Sequence, residues 1–254
     1  MIVLHSLDLK SLERQPVTSF LRAISSAYPQ IARFRFSSYL KQNGLSLRLA
    51  ADLDERDRQF LAKCEEASRN IHASLWNVFP HLALAEGKHL ELFADSALIH
   101  FHGPRAEEYL LSSEDLAGDG IGNLIERLPP EHGLTVCSDV RLASGMTLHI
   151  PMMDFLCSPS DANENLVISI VRRLEQPRGL LANSGNSYHF YGCNLLENDE
   201  WRRFLARALL LSPITDPRYI AHRLMDGFCN LRIVDRKTSR IPNIEKTFSS
   251  DPTP

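Results

Sequence analysis

The stretch from Gly179 to Leu196, GLLANSGNSYHFYGCNLL, constrains the fold more than any other part of the chain. Two short runs rich in apolar and aromatic residues are separated by Ser184-Gly185-Asn186. Glycine takes positive φ without steric cost and asparagine tolerates it, so this cluster predicts a tight turn and the runs a β-hairpin. Upstream, NLVISIVRRLEQ repeats apolar residues at helical spacing, with Ser160 or Asp161 as caps and Pro177 and Gly179 as stops. Downstream, NDEWRRFLARALLL predicts a helix capped by Asn198 or Asp199. DPRYIAHRLMDG predicts another, with Pro217 in its first turn and Gly227 just past its end. FCNLRIVD predicts a last strand, and LTVCSDV and GMTLHIPMMDFLC two earlier ones joined by a turn at Ala143 to Gly145. Strand, helix, strand-strand, helix, helix, strand is the order of an α+β sandwich, with an antiparallel or mixed sheet and helices on one face.

The first half reads differently. Residues 8–77 are predicted to be mostly helical, from SLERQPVTSFLRAISSAYPQI and from LDERDRQFLAKCEEASRNIHASLWNVF, whose acidic start suits a helix N-terminus. Pro80 is expected to end the second pattern. HLELFADSALIHFHG predicts two short strands around Asp95-Ser96, and RAEEYLLSSEDLAGDGIGNLIERLPPEHG a helix, a loop and a helix. The GDGIG loop does not follow an apolar strand and receives no phosphate role. RKTSRIPNIEKTF reads as a basic tail. The expected organisation is a helical N-terminal region over 1–88, an α/β core over 89–246 and a flexible tail over 247–254.

Several function classes drop out. The five cysteines are scattered and form no CxxC pair, so neither a disulfide framework nor a zinc knuckle is expected. No apolar run nears the ~20 residues of a membrane span, and the start lacks a basic leader before a long apolar stretch. A soluble cytoplasmic protein without membrane association is the expectation. No GxxxxGK[ST], GxSxG or HExxH occurs. A Cys-His hydrolase with Cys157 or Cys193 near His189 stays open, with nothing to orient the pair. His100 and His102 could share a face but have no third ligand. His149 is expected to pack under the sheet, and His222 reads as a surface ion pair with Asp226, one helical turn away. The net charge of −3 conceals an asymmetry. Residues 172–246 hold 13 Lys/Arg against 8 Asp/Glu, while the rest is acidic. A basic part beside an acidic one suits a polyanion on one face, or merely a solvated helix surface.

Three features carry chemistry. Asp154 ends an apolar strand in MMDFLC. Ser187 and His189 are two apart, so their side chains point to one face of a strand. Asp216 starts a helix that leads to Arg232 on the next strand. Singly, these have ordinary explanations: an end-of-strand turn residue, a hydrogen-bonded sheet pair, an N-cap.

In order, they resemble the signatures of the archaeo-eukaryotic primase superfamily: a strand-end Asp, a Ser-x-His strand, then a later Asp followed by a strand with an Arg. The resemblance spans roughly 100 residues, and SGNSYHFYG with DPRYIAHRL and LRI is its most specific part. It implies an RRM-like primase palm behind a mostly helical N-terminal region, and a primase-polymerase-like nucleotidyltransferase. Asp154 and Asp216 would bind Mg²⁺ or Mn²⁺ and act in catalysis, while Ser187, His189 and Arg232 would hold a nucleoside triphosphate. Arg236, Lys237, Arg240 and Lys246 would line the path of a single-stranded nucleic-acid template, and a helicase or another protein would be a further partner. One position departs from the family: the second acid of the first signature is Leu156 here. Asp139 or Asp161 would have to replace it, or the domain is a degenerate module that binds nucleotide or nucleic acid without turnover.

Overall fold

The structure, a computed structural model, describes residues 7–40, 53–71, 73, 75–98, 107–235 and 241–249. In chain order the elements are a 3₁₀ turn (Lys10–Leu12), α1 (Val17–Ala27), β1 (Ile31–Leu40), α2 (Glu55–Asn70), α3 (Leu75–Glu86) and α4 (Leu90–Leu98). There follow β2 (Glu108–Ser112), α5 (Ser113–Ala117), α6 (Gly120–Arg127), β3 (His132–Leu142), β4 (Thr147–His149) and β5 (Met152–Asp154). The last are α7 (Asp161–Arg173), β6 (Arg178–Asn183), β7 (Tyr188–Gly192), α8 (Asn198–Leu209), α9 (Pro217–Asp226), β8 (Asn230–Asp235) and β9 (Asn243–Ser249). The described residues form two compact units, one up to Leu40 and again from 107 onward, the other between Lys41 and Gly103. The fold is α+β, as the element order predicts.

The larger unit holds two antiparallel sheets. In the first, β2, β1, β3 and β4 follow one another. The long strand β3 pairs with β4 through Asp139–Arg141 and with β8 through Gly133–Cys137. The second sheet runs β5-β7-β6-β9. Its centre is the predicted hairpin. Gly185 sits at φ +107° in the turn, and β6 and β7 pair from Gly179↔Gly192 to Asn183↔Tyr188. The alternation along β7 splits its side chains between two faces. Phe190 packs on Phe204 of α8 and Phe248 of β9, while Tyr191 meets Phe20 of α1. Trp201, Tyr191, Phe155 and Phe190 are fully buried. The predicted boundaries of α9 hold: Asp216 caps it, Pro217 opens it, and Gly227 ends it in the left-handed region, whereas α8 is capped by Glu197 rather than by Asn198 or Asp199.

Four local expectations are corrected. Residues 31–40, read as helical, form β1, at the centre of the first sheet between β2 and β3. Its sequence IARFRFSSYL alternates: Phe34 and Phe36 are fully buried, and Arg35 turns to Asp139 and Glu108. The hairpin expected around Asp95-Ser96 is instead helix α4, and the helix expected before α5 is strand β2. The C-terminal "tail" is in part strand β9, which lies along β6 from Arg178↔Ser249 to Asn183↔Asn243. Backbone bonds from Arg14 and Val17 to Ile244 and Pro242 fasten its start.

The smaller unit has its own core, in which Phe60, Leu61 and Cys64 of α2 meet Phe79 and Ala83 of α3. Pro80 lies inside α3 rather than ending it.

Candidate active site

The site is built by strand register. Asp154 ends β5 directly opposite His189 on β7. Beyond it the chain runs beside residues 214–216: Leu156 N donates to Ile214 O at 2.9 Å, and Asp216 N to Asp154 O at 3.3 Å. These bonds bring the two aspartates, 62 residues apart in sequence, to the same sheet end.

Three polar groups face the Asp154 carboxylate. Ser187 donates from Oγ to Oδ1 at 3.3 Å, and His189 Nε2 lies 3.8 Å from that oxygen, too far for a hydrogen bond. Asp216 bears on it through charge. Arg232, reaching in from β8, donates to Ser184 O in the hairpin turn at 2.6 Å and supports the charged form of Asp154 from there. Burial and the neighbouring Asp216 outweigh Ser187 and Arg232, and the Asp154 carboxyl is pushed up to about 7. Its side chain nevertheless remains 30% accessible, so ions and ligands can reach it. His189 is buried, and burial together with the Arg232 charge pulls its imidazole down to about 3. It is therefore neutral near pH 7. Its Nδ1 is buried without a hydrogen-bond partner.

Asp216 does two things at once. Its Oδ1 accepts from Arg218 N at 2.9 Å and Tyr219 N at 3.1 Å, the N-cap of α9. That bonding also fixes the carboxylate in place beside Asp154.

The structure thus brings Asp154, Asp216, Ser187, His189 and Arg232 together. Lys246 is elsewhere in its contacts: it sits on β9 opposite Leu181, with Nζ 3.7 Å from Glu164 of α7. Arg236, Lys237 and Arg240 lie outside the described residues, as do His100 and His102. Asp139 does not supply the missing second acid, because Arg35 grips its Oδ1 at 2.8 and 3.1 Å in the first sheet. Asp161 begins α7. Among the described residues no group of three or more His, Cys, Asp or Glu side chains is assembled to hold a metal.

Other expectations resolve plainly. Burial pushes the Cys193 thiol up to about 12 and raises Cys157 as well, which works against the thiolate that a Cys-His hydrolase needs. His149 packs under the first sheet, stacked on Trp201 at 4.6 Å. His222 is buried rather than at the surface, and Arg223 lies 3.0 Å from Asp226. Tyr191 was not singled out from sequence. It shares a face with His189, two residues away, and its hydroxyl is buried without a hydrogen-bond partner. The period-2 spacing is the signal that points to it.

An α+β domain of two antiparallel sheets, with a strand-end aspartate opposite a Ser-x-His strand and a second aspartate hydrogen-bonded to the same strand end, defines a primase-like class. The family model described as archaeo-eukaryotic primase 1D-like matches residues 112–244, more than half of the chain, and the protein belongs to this family. No curated protein and no solved structure matches the chain. Among the described residues, no helix is long and apolar enough to cross a membrane.

Proposed function

We propose that this protein is a primase-polymerase-type nucleotidyltransferase that transfers the nucleoside monophosphate of a nucleoside triphosphate to the 3′-hydroxyl of a growing strand on a single-stranded template, with pyrophosphate as the leaving group, in the cytoplasm. The observation that carries the reading is the register pair Asp154↔His189, with Ser187 on the same carboxylate and Asp216 tied to the same strand end.

The donor set fits one divalent ion. Mg²⁺ is content with one or two carboxylates completed by phosphate oxygens and water, and Mn²⁺ accepts the same donors. Asp216 is close enough to raise the cost of ionising Asp154, an arrangement that a cation relieves. Bound there, Mg²⁺ or Mn²⁺ would neutralise charge developing on the phosphoryl oxygens. The remaining work falls to the chain. A neutral His189 donates one hydrogen bond without carrying charge into the pocket. Ser187 turns its hydroxyl between Asp154 and a phosphate oxygen. Arg232 offers a planar fork to the triphosphate from a position set by Ser184 O. None of these groups needs to act as a nucleophile, since phosphoryl transfer depends on positioning and electrostatics.

Leu156 favours a second reading. With a leucine at the family's second acid, and with Asp139 held by Arg35, one carboxylate fewer is at hand. On that reading the domain binds nucleotide and works with a partner protein, without turnover of its own.

Labelled-nucleotide incorporation on single-stranded DNA, with Mg²⁺ or Mn²⁺ and with or without a primer, tests both. Incorporation by the wild type that vanishes in Asp154→Ala and His189→Ala supports the enzyme. Absence of incorporation, with Mn²⁺-dependent nucleotide binding that His189→Ala removes, supports the binding module. Neither activity nor binding sinks both readings.

A further inference from the structure

The smaller unit carries a second cluster of polar groups with no part in the site above. On α2, Arg56, Phe60 and Lys63 recur at helical spacing and share one face. The turn between α3 and α4 presents Lys88 and His89 to the same pocket, which Gln59 and Glu86 also line. Buried Phe60 lies beneath.

The turn is built unusually. Gly87 and His89 both have left-handed backbone, at φ +62° and +60°. Glycine adopts this freely, whereas few non-glycine residues do, and such outliers concentrate at functional sites. His89 is held there by two contacts: its ring stacks on Phe60 at 4.2 Å and 10°, and its Nδ1 meets Asp57 Oδ1 at 2.7 Å. With Asp57 on Nδ1, Nε2 is the nitrogen available to a ligand, and it donates when the ring is protonated.

The charges are arranged to match. Between Lys41 and Gly103 the sequence holds 7 Lys/Arg and 9 Asp/Glu, so the unit is acidic and a local gathering of cations is not a by-product of composition. Lys63 pairs with Glu86. Arg56 and Lys88 are exposed and have no ion pair among the described residues. They are two exposed cations at a pocket edge beside an oriented imidazole; the carboxylates nearby, Glu86 in the lining and Asp57, are taken by Lys63 and His89.

We propose that this pocket is a phosphate-binding site, in which Arg56 and Lys88 contact backbone phosphates of single-stranded nucleic acid and Lys63 and His89 complete the contact. Contacts of this kind are electrostatic and independent of base sequence. The choice of nucleic acid over a free nucleotide as the phosphate source rests on the function proposed above; the site itself does not.

The test uses the full chain, with a fluorescein-labelled 20-mer of thymidine for anisotropy and ATP with Mn²⁺ for equilibrium binding. Both side chains are exposed and unpaired, so Arg56→Ala/Lys88→Ala is expected to melt like the wild type. It should bind the 20-mer about 10-fold more weakly, and the slope of log K against log salt should fall by roughly 1.4, about 0.7 for each lost contact. Arg56→Lys/Lys88→Arg should restore both. If instead ATP binding weakens and 20-mer binding does not, the site stands with a free nucleotide as its phosphate source. Unchanged affinity and slope for the 20-mer together with unchanged ATP binding overturns the proposal. Its failure is separable from that of the function, because Asp154→Ala tests the palm in the incorporation assay whatever Arg56 and Lys88 do.

Discussion

Two buried histidines next to serines sit in this fold, one in each sheet, and only one of them faces the candidate site at Asp154. His149 of the first sheet has its Nδ1 3.2 Å from Ser138 Oγ, its ring stacked on Trp201, and burial pulls it down to about 4. Ser138 Oγ in turn accepts from Cys229 N at 2.9 Å. There the imidazole is partnered, although Trp201 Nε1 is buried without a hydrogen-bond partner, and the nearest carboxylate in register, Asp139 opposite His149, is held by Arg35. His189 of the second sheet is just as buried and is pulled down to about 3, yet its Nδ1 has no partner and its Nε2 looks at Asp154 across a gap too long for a hydrogen bond. Burial and a displaced pKa are common to both, so neither marks function. What differs is unfinished hydrogen bonding beside converging carboxylates.

The largest expected effect lies in activity at the open cluster. Asp154→Ala should cut nucleotide incorporation by at least about 10²- to 10³-fold, the scale of losing one preorganised electrostatic group. The protein should fold normally, because the change removes a carboxylate that burial and Asp216 disfavour. His189→Gln should weaken nucleotide binding by about 10- to 100-fold, as a hydrogen bond to a charged phosphate is worth some 1.5–3 kcal/mol. His149→Ala should reverse the pattern. Emptying the space against Trp201 and leaving Ser138 short of a partner should cost about 2–4 kcal/mol, or a melting temperature lower by roughly 5–15 °C. Activity per folded molecule should be unchanged. If His149→Ala abolishes incorporation at temperatures where it is folded, the contrast between the clusters collapses.

A medium effect concerns pH, and here Asp154 and the two histidines pull in opposite directions. Asp154 has a native pKa of about 7 against 3.8 for the ordinary group. Between those values the native state binds the extra proton, so in the absence of metal stability falls as pH rises through 7. His149 and His189, at about 4 and 3, act the other way: the unfolded chain takes up their protons first, and stability falls as pH drops below the ordinary value of 6.5. Between pH 6.5 and 8 the unfolded chain also releases the last of its two histidine protons, which offsets most of the Asp154 loss, so the wild type should be nearly flat there. Asp154→Asn keeps only the histidine contribution and should gain a few degrees over that range, and both should destabilise below pH 6. Mn²⁺ competes with the proton on Asp154 and should raise the melting temperature more at pH 8 than at pH 6. A wild-type profile identical to that of Asp154→Asn would remove Asp154 from the titration.

The contrast also explains which parts were legible in the sequence. The hairpin was, because its turn chemistry and its alternation are local. Asp216 before Pro217 announced its helix in the same way. Strand β1 escaped, although its Arg-Phe-Arg-Phe alternation is a period-2 signal, because it stands among helical patterns and pairs with strands about 70 and 100 residues away. Strand β9 escaped because its only advantage is a neighbour, β6, that no local pattern reveals. At the site, Asp154, His189 and Asp216 were legible as types in an order, not as a geometry. That Asp139 would be taken by Arg35, and that Ser184 O would hold Arg232, depends on which strands meet.

The smallest expected effect belongs to Lys246, where the resemblance and the structure diverge most. The sequence places it on a basic tail along a template path, whereas the structure puts it on a paired strand 3.7 Å from Glu164, with about half of its side chain exposed. A pair of that exposure contributes roughly 0.2–1 kcal/mol, so Lys246→Ala should shift the melting temperature by no more than about 2–4 °C. A lysine occupied by a carboxylate is also a poor phosphate ligand. If it nevertheless contacts the template, Lys246→Ala should lower the salt slope of 20-mer binding by about 0.7. Glu164→Ala, which frees the ammonium, should then tighten binding. An unchanged slope in Lys246→Ala, with unchanged affinity in Glu164→Ala, would take β9 off the template path and leave Arg56 and Lys88 as the described cations with the better claim to it.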